Sequence, residues 1–333
     1  MKRYTKANGC LLQNGLYDPK FESDSCGVGF VAKLDGLPSH NIINSAIKVL
    51  INLEHRGALG GDKSTGDGAG IMIDIPDSFF RENLQNDSIK LPDLGDYGVG
   101  MIFLPSNEKH KENCIKYIEK YVFDEGCDIL GWRKVPVNNS CIGELAKSTE
   151  PTIYQVFVHR GQIKRENFER KLYVIRRQIE KTIDAEKSDM SQFYIASFSS
   201  NRIVYKGLLT ANQLNNYYLD LSDSRFKSKF GIVHQRYSTN TQPTWNLAQP
   251  FRFLAHNGEI NTLNGNINRM KWREFHLKSD LFGDDIEKIK PIIIETGSDS
   301  AIFDNVLELL VLGGRSIPHA MMMMVPEAYG PKI

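Results

Sequence analysis

Residues 24–34 read Asp24-Ser25-Cys26-Gly27-Val28-Gly29-Phe30-Val31-Ala32-Lys33-Leu34. The glycine-spaced apolar run predicts a strand over 26–34. A cysteine stands at its head, and with no Cβ at 27 or 29 a substrate can approach it closely. Taken alone, a buried strand cysteine is the plainer reading. Outward from this strand, HNIINSAIKVLINL at 40–53 sets Ile43, Ala46, Ile47, Leu50 and Leu53 at helical spacing behind Ser39, a suitable N-cap.

Further strands are predicted at 70–75, 97–105, 153–160, 192–199 and 202–207. FGIVHQRYST at 230–239 reads as a strand leading into a polar loop. Residues 107–123 and 163–183 read as charged amphipathic helices, and 301–313 as another helix. Strands come in groups, and so do helices. That lacks the regular alternation of a parallel doubly wound sheet and predicts an α+β fold of stacked layers. The first 25 residues are polar and turn-rich, an extension rather than a core element. Met321–Met324 is read as core filler on a helix face.

The chain has 333 residues, 41% of them apolar and 24% charged, with a formal net charge of +1. That is globular composition with room for about two domains or one large one. The balanced charge gives no electrostatic support to a nucleic-acid or membrane-surface role. The five cysteines form no CxxC pair, so zinc-ribbon and thioredoxin-type motifs are absent. With no signal-peptide core and no run of 18 apolar residues, a cytoplasmic protein with reduced thiols is expected, without a membrane partner.

Three more segments combine glycine with reactive or charge-reading side chains. His55-Arg56-Gly57-Ala58 runs into a glycine-dense stretch at 60–70. This lacks the GxxxxGK[ST] order of a phosphate cradle, and a mobile lid with an arginine at its base suits it as well. His234-Gln235-Arg236 precedes Tyr237-Ser238-Thr239-Asn240-Thr241. An arginine at a strand end beside hydroxyls suits a carboxylate ligand, although a surface salt bridge is the bland alternative. Asn257-Gly258 offers an amide side chain beside a backbone N–H, the minimum for an oxyanion hole. An Asn-Gly turn is the ordinary reading of that pair.

In this order, CGVGF at 26–30, HRGA at 55–58, TGDGAGI at 65–71, HQRYSTNT at 234–241, FRFLAHNGEINT at 251–262 and ETGSDS at 295–300 resemble the class II, N-terminal nucleophile type of glutamine amidotransferase domain. HRGA with TGDGAG points within that family to the domain that opens the large subunit of glutamate synthase. The resemblance implies a four-layer α/β/β/α sandwich. It also implies that Met1–Ser25 is a propeptide, 26–333 the amidotransferase domain and Cys26 the nucleophile. The freed α-amino group, pKa roughly 7.7–8.0, would then serve as its base. His55, His234 and His256 would be structural.

By the same resemblance Arg236 holds the glutamine α-carboxylate and Asp299 reads its α-amino group. Asn257 and Gly258 give the oxyanion donors, and Arg56 shapes the cysteine pocket. No cofactor or metal is expected in this chain. FMN and an iron–sulfur cluster belong to the remainder of the full enzyme, where ammonia converts 2-oxoglutarate to glutamate. The expected partners are glutamine, the synthase domain of the same full-length chain, and a small electron-donating subunit or ferredoxin. The chain stops at MMMMVPEAYGPKI, before the family's usual DRNGLRP segment. A C-terminally truncated domain lacking its last strands is therefore expected. The alternatives are a stand-alone amidotransferase subunit feeding a separate synthase chain, and a non-catalytic glutamine-binding module.

Overall fold

The computed structural model describes residues 6–7, 10–11, 26–85, 89–186, 192–236, 242–258, 260 and 262–325. Lys6–Ala7 (β1) and Cys10–Leu11 (β2) form a two-residue antiparallel ladder. The rest of the N-terminal extension lies outside the described residues. The glycine-spaced stretch becomes β3 (Val28–Ala32), at the edge of a four-stranded antiparallel sheet. Its order is β3–β10–β4–β9, with β10 at Phe230–Gln235, β4 at Ala69–Asp74 and β9 at Arg202–Gly207.

Strand β10 sets the register on both sides. Val233 faces Gly29 and Ile71, and His234 faces Val28 and Gly70. The N-terminal ends of β3 and β4 therefore meet the C-terminal end of β10 at one edge of the sheet. Two backbone bonds continue the pairing past the strand ends. Gln235 N donates to Gly27 O and Arg236 N to Gly68 O, each at 2.9 Å.

The second sheet runs β6 (Asp128–Lys134), β7 (Thr152–His159), β5 (Tyr97–Leu104), β8 (Tyr194–Ser199), again antiparallel. Ser199–Arg202 turns the chain from β8 into β9 and so from one sheet to the other. Ser199 Oγ accepts from Asn201 N and Arg202 N in that turn. One apolar core joins the sheets, with Ile71 and Ile73 from β4, Ile203 and Tyr205 from β9, Val99, Met101 and Phe103 from β5 and Phe157 from β7. Phe79 and Phe80 of α2 (Asp77–Leu84) and Tyr217 of α6 (Leu214–Tyr217) complete it with edge-to-face rings.

Helix α1 (His40–Asn52) packs on the first sheet. Ser39 caps it as the sequence predicts, accepting from Asn41 N at 3.2 Å. The outer face of the second sheet carries Ile102, Leu104, Val156, Val158 and Ile195. These are covered by α3 (Glu108–Asp124) and the 21-residue α5 (Arg165–Ala185). Both helices are amphipathic as predicted, and this burial, rather than propensity, holds them. The other side of α5 meets α7 (Leu263–Glu274) and α8 (Asp299–Leu312) through Tyr173, Val174, Met270, Ile302 and Leu309. The result is the α+β sandwich that the grouping of elements implies.

Strand β6 and helices α2 and α7 are not foreseen by the sequence pattern, whereas α9 (Ile317–Met324) supplies the helix face expected at Met321–Met324. The residues of β6 show no burial alternation, and a register shift between Ile129 and Gly131 interrupts it, so the period-2 signal is lost. The methionine run divides. Met321 and Met324 pack on Phe303 and Leu307, whereas Met322 and Met323 are exposed, so only half of it fills a core. Among the described residues no helix is long and apolar enough to cross a membrane.

Candidate active site

Cys26 stands exposed at the head of β3, and its Sγ accepts from Val28 N at 3.4 Å. The position next to it is tight. A Cβ at Gly27 would lie 2.6 Å from Gln235 O and 2.9 Å from Asn257 Oδ1, so only glycine lets Asn257 come this close to the cysteine backbone. Asn257 Oδ1 is thus turned towards Gly27, which leaves Nδ2 on the other branch of the amide to donate elsewhere. Gly258 follows with φ of 152°, a backbone that L side chains rarely adopt.

The residue before Asn257 is fixed from both sides. Gln249, itself buried, accepts from His256 N at 2.8 Å and donates to His256 O at 3.0 Å. His234 Nε2 donates to the same carbonyl at 3.0 Å, so its neutral ring carries its proton on Nε2. Burial pushes the His234 pKa down from 6.5 to about 4, which keeps the ring neutral at physiological pH. His234 and His256 are thus tied into this bonded network, and exposed His55 bonds its own helix end at Asn52 O.

Arg236 holds a φ of 104°, one of two non-glycine residues with positive φ among those described. Such strain persists only where the surroundings impose it. Here Gln235 N and Arg236 N are both claimed by neighbouring backbone. Tyr237–Thr241, the hydroxyl-rich part of the motif, lie outside the described residues. Beside Arg236 lies Asp67, 4% exposed. Neither of its oxygens is in bonding geometry to a donor among the described residues. Burial pushes its carboxyl up to about 6, against the weaker pulls of the Ala58 and Asp67 backbone N–H groups and of the Arg236 cation. Arg56 ends the short turn Glu54–Arg56, and its buried Nε, like Gln235 Oε1, lacks a partner among the described residues. Gln235 and Asp67 also pack against Gly57, the residue that follows Arg56.

Asp299 begins α8 and is buried. Its Oδ2 accepts from Ile260 N at 3.1 Å and its Oδ1 from Ser300 N at 2.6 Å. It reaches the same loop as Asn257, three residues further on. Of the six residues predicted from the sequence, Asn257 and Gly258 lie beside Gly27 and so next to Cys26, Arg236 is bonded through its backbone to Gly68, Arg56 precedes the Gly57 that Gln235 packs on, and Asp299 reaches the Asn257 loop at Ile260.

The glycine-dense loop is neither phosphate cradle nor free lid. Leu59 and Gly66 bridge across it, and Asp62 accepts from Ser64 N, Thr65 N and Thr65 Oγ1. Asp62 also accepts from Leu145 N, and Thr65 Oγ1 from Ala146 N, at the start of α4 (Glu144–Ser148). These bonds hold the Asp62 carboxyl well below the usual range. The other described cysteines differ from Cys26. Cys114 and Cys127 are buried with pKa pushed up to about 12 by desolvation, and burial raises Cys141 as well.

Residues 26–332 match the family described as class-II glutamine amidotransferases. The chain belongs to that family. It is 49% identical over 317 residues to the glutamate synthase [NADPH] large chain of Bacillus subtilis, covering 95% of this chain and 20% of that one. Identity is 46% over 329 residues to the glutamate synthase [NADH] of Saccharomyces cerevisiae, covering 95% and 15%. It is 43% over 309 residues to the ferredoxin-dependent glutamate synthase of Pyropia yezoensis, covering 92% and 20%. The chain spans about a fifth or less of these curated relatives.

Sequence reasoning about this amidotransferase left Asp67, Gln249 and Ser300 without a role. Asp67 carries a signal, since an acid set between glycines inside a β-rich core invites burial. Gln249 carries none, because its value lies in matching a backbone segment seven residues away.

Proposed function

We propose that this chain is the glutamine-hydrolysing domain of a glutamate synthase. The supporting observation is an exposed cysteine at a strand head, with Asn257 packed on the adjoining glycine, in a chain 49% identical to a glutamate synthase large chain. Removal of Met1–Ser25 would free the Cys26 α-amine as base, and the family match begins at that residue. The Cys26 thiolate attacks the glutamine side-chain carbonyl carbon. The developing oxyanion is taken by Asn257 Nδ2 and Gly258 N–H. Ammonia leaves as the tetrahedral adduct collapses to a thioester, and water releases glutamate.

Arg236 takes the substrate α-carboxylate and Asp299 its α-ammonium. Asp299 accepts from Ile260 N, Ser300 N and Ser300 Oγ, and its carboxylate supplies the negative charge that an ammonium group pairs with. Arg56 borders the same pocket. In the longer protein the ammonia serves amination of 2-oxoglutarate in a synthase domain carrying FMN and an iron–sulfur cluster. The relatives are named for NADPH, NADH and ferredoxin, the three candidate electron sources. Cys26, Cys114, Cys127 and Cys141 form no disulfide among the described residues, which suits a cytoplasmic location.

The test uses the full-length enzyme. Cys26→Ala should abolish glutamine-dependent glutamate formation and leave ammonia-dependent formation intact. Retained glutamine-dependent activity would refute the reading, and equal loss of both activities would show a folding defect in place of a lost nucleophile.

A further inference from the structure

The loop that carries Asn257 and Gly258 lies along one face of α8 and is bonded to it at three points. At the loop's start, the Asp304 carboxylate accepts from both Arg252 N (3.2 Å) and Phe253 N (2.8 Å). In its middle, Ser300 Oγ meets His256 Nδ1 at 3.0 Å. At its end, Asp299 Oδ2 takes Ile260 N at 3.1 Å. Residues 300 and 304 are one helical turn apart, so they share a face. Phe303 and Leu307 fill the gap against Phe253, Leu254 and Ile260.

Asp304 is fully buried and belongs to a larger ionic cluster. Arg252 donates to Glu180 Oε1 (2.8 Å) and to Ile195 O (2.7 Å). Glu180 is also held by Arg176 and Arg177, and Arg176 reaches Glu308 on α8. A buried carboxylate bonded to two consecutive backbone N–H groups fixes that peptide's position and orientation. Asn257 lies five positions after Arg252, and Gln249 holds the intervening His256.

We propose that Asp304 is a positioning residue for glutamine hydrolysis, acting through the backbone of residues 252–258 to aim Asn257 and Gly258 at the oxyanion. The inference rests on the proposed roles of Cys26, Asn257 and Gly258. Asp304 never touches substrate. Its effect falls on the step in which charge develops and leaves glutamine binding through Arg236 unchanged. Asparagine at 304 keeps one acceptor for the two N–H groups, and alanine keeps none.

The experiment compares Asp304→Ala, Asp304→Asn and Asn257→Ala in full-length enzyme. Three readouts are needed: steady-state glutamine hydrolysis, alkylation of Cys26 by iodoacetamide, and inhibition by the γ-aldehyde analogue of glutamine. The aldehyde forms a tetrahedral thiol adduct that needs the oxyanion donors. Direct alkylation needs only the thiolate.

Asp304→Ala should lower kcat by up to about 10²-fold, the scale of a misplaced catalytic group, with KM changed less than about 3-fold. Asp304→Asn should fall between alanine and wild type. Aldehyde inhibition should weaken in parallel with kcat, at an unchanged alkylation rate. If Asn257→Ala lowers kcat while Asp304→Ala lowers neither kcat nor aldehyde affinity, the positioning role is overturned. If Asn257→Ala itself leaves kcat intact, the oxyanion assignment fails and this inference falls with it. Should Asp304→Ala not fold, Asp304→Asn decides. Equal loss of alkylation, kcat and ammonia-dependent synthesis would reduce Asp304 to a general structural residue.

Discussion

The two sheets differ in how their buried polar groups are paired. In the second sheet, Gln155 donates to Tyr205 Oη at 2.8 Å and accepts from Arg133, which in turn forks onto Asp220 at 2.7 and 2.8 Å. Ser197 and Ser199 are likewise bonded. At the Cys26 edge of the first sheet, by contrast, Arg56 Nε, both Asp67 oxygens, His234 Nδ1 and Gln235 Oε1 lack partners among the described residues. Of the buried side-chain atoms in that condition, only Arg252 Nε lies elsewhere. Satisfied polar groups stabilise a scaffold, whereas unsatisfied ones cost stability and persist where they serve chemistry. The contrast supports the proposed reading, with the second sheet as scaffold and the Cys26 end of the first as the reacting site.

That contrast breaks most visibly if a scaffold residue turns out to govern chemistry. Phe157 is fully buried between the sheets and contacts Phe80 edge-to-face. Phe157→Ala should cost about 3–5 kcal/mol of stability. A thermal melt should show the loss, while the folded fraction keeps its kcat and KM for glutamine.

The converse substitution lies at the first sheet's edge. Asn257→Ala should leave the melt nearly unchanged and lower kcat by about 10²–10³. Arg236→Ala should act mainly on KM, because the α-carboxylate keeps its charge through the reaction. Finding the KM effect at Asn257 and the kcat effect at Arg236 would reverse the assignments.

The smallest effects are in the pH dependence of stability. The Asp67 carboxyl is raised to about 6 in the folded chain, so the native state binds a proton that the unfolded chain has released. Its contribution is greatest at low pH and is lost as pH rises from about 4 to 6. His234 works in the opposite direction. Its pKa is depressed to about 4, and stability is lost as pH falls from about 6.5 towards 4. Denaturant titrations across pH 4–7 should show a steeper acid loss for Asp67→Asn than for wild type, and a shallower one for His234→Gln. Identical slopes in all three would show that neither group titrates as its burial dictates.

Much of this organisation is legible in the sequence. The apolar and periodic segments gave β3, β5, β10, α1, α5 and α8 close to their true ends. The glycines at 27 and 29 mark an uncrowded backbone beside Cys26, and Gly27 proves to be where Asn257 packs. What stayed hidden depends on long-range pairing. Asp67 reads as a loop acid and proves buried. Gln249 reads as a loop amide and proves to hold His256. Asp304 reads as one of several polar residues on α8 and proves to hold the start of the Asn257 loop. Local pattern reports which face is apolar and leaves open which buried polar group finds which backbone.

The central claim is that Cys26, alone among the cysteines, is the nucleophile for glutamine. Treatment of full-length enzyme with a glutamine-like diazoketone, followed by peptide mapping, tests it most directly. The account predicts a single covalent adduct on Cys26 as the mature N-terminal residue, prevented by excess glutamine, with Cys10, Cys114, Cys127 and Cys141 unmodified. An adduct on any of those four with Cys26 free, or full inactivation of an enzyme that still begins at Met1, would contradict it.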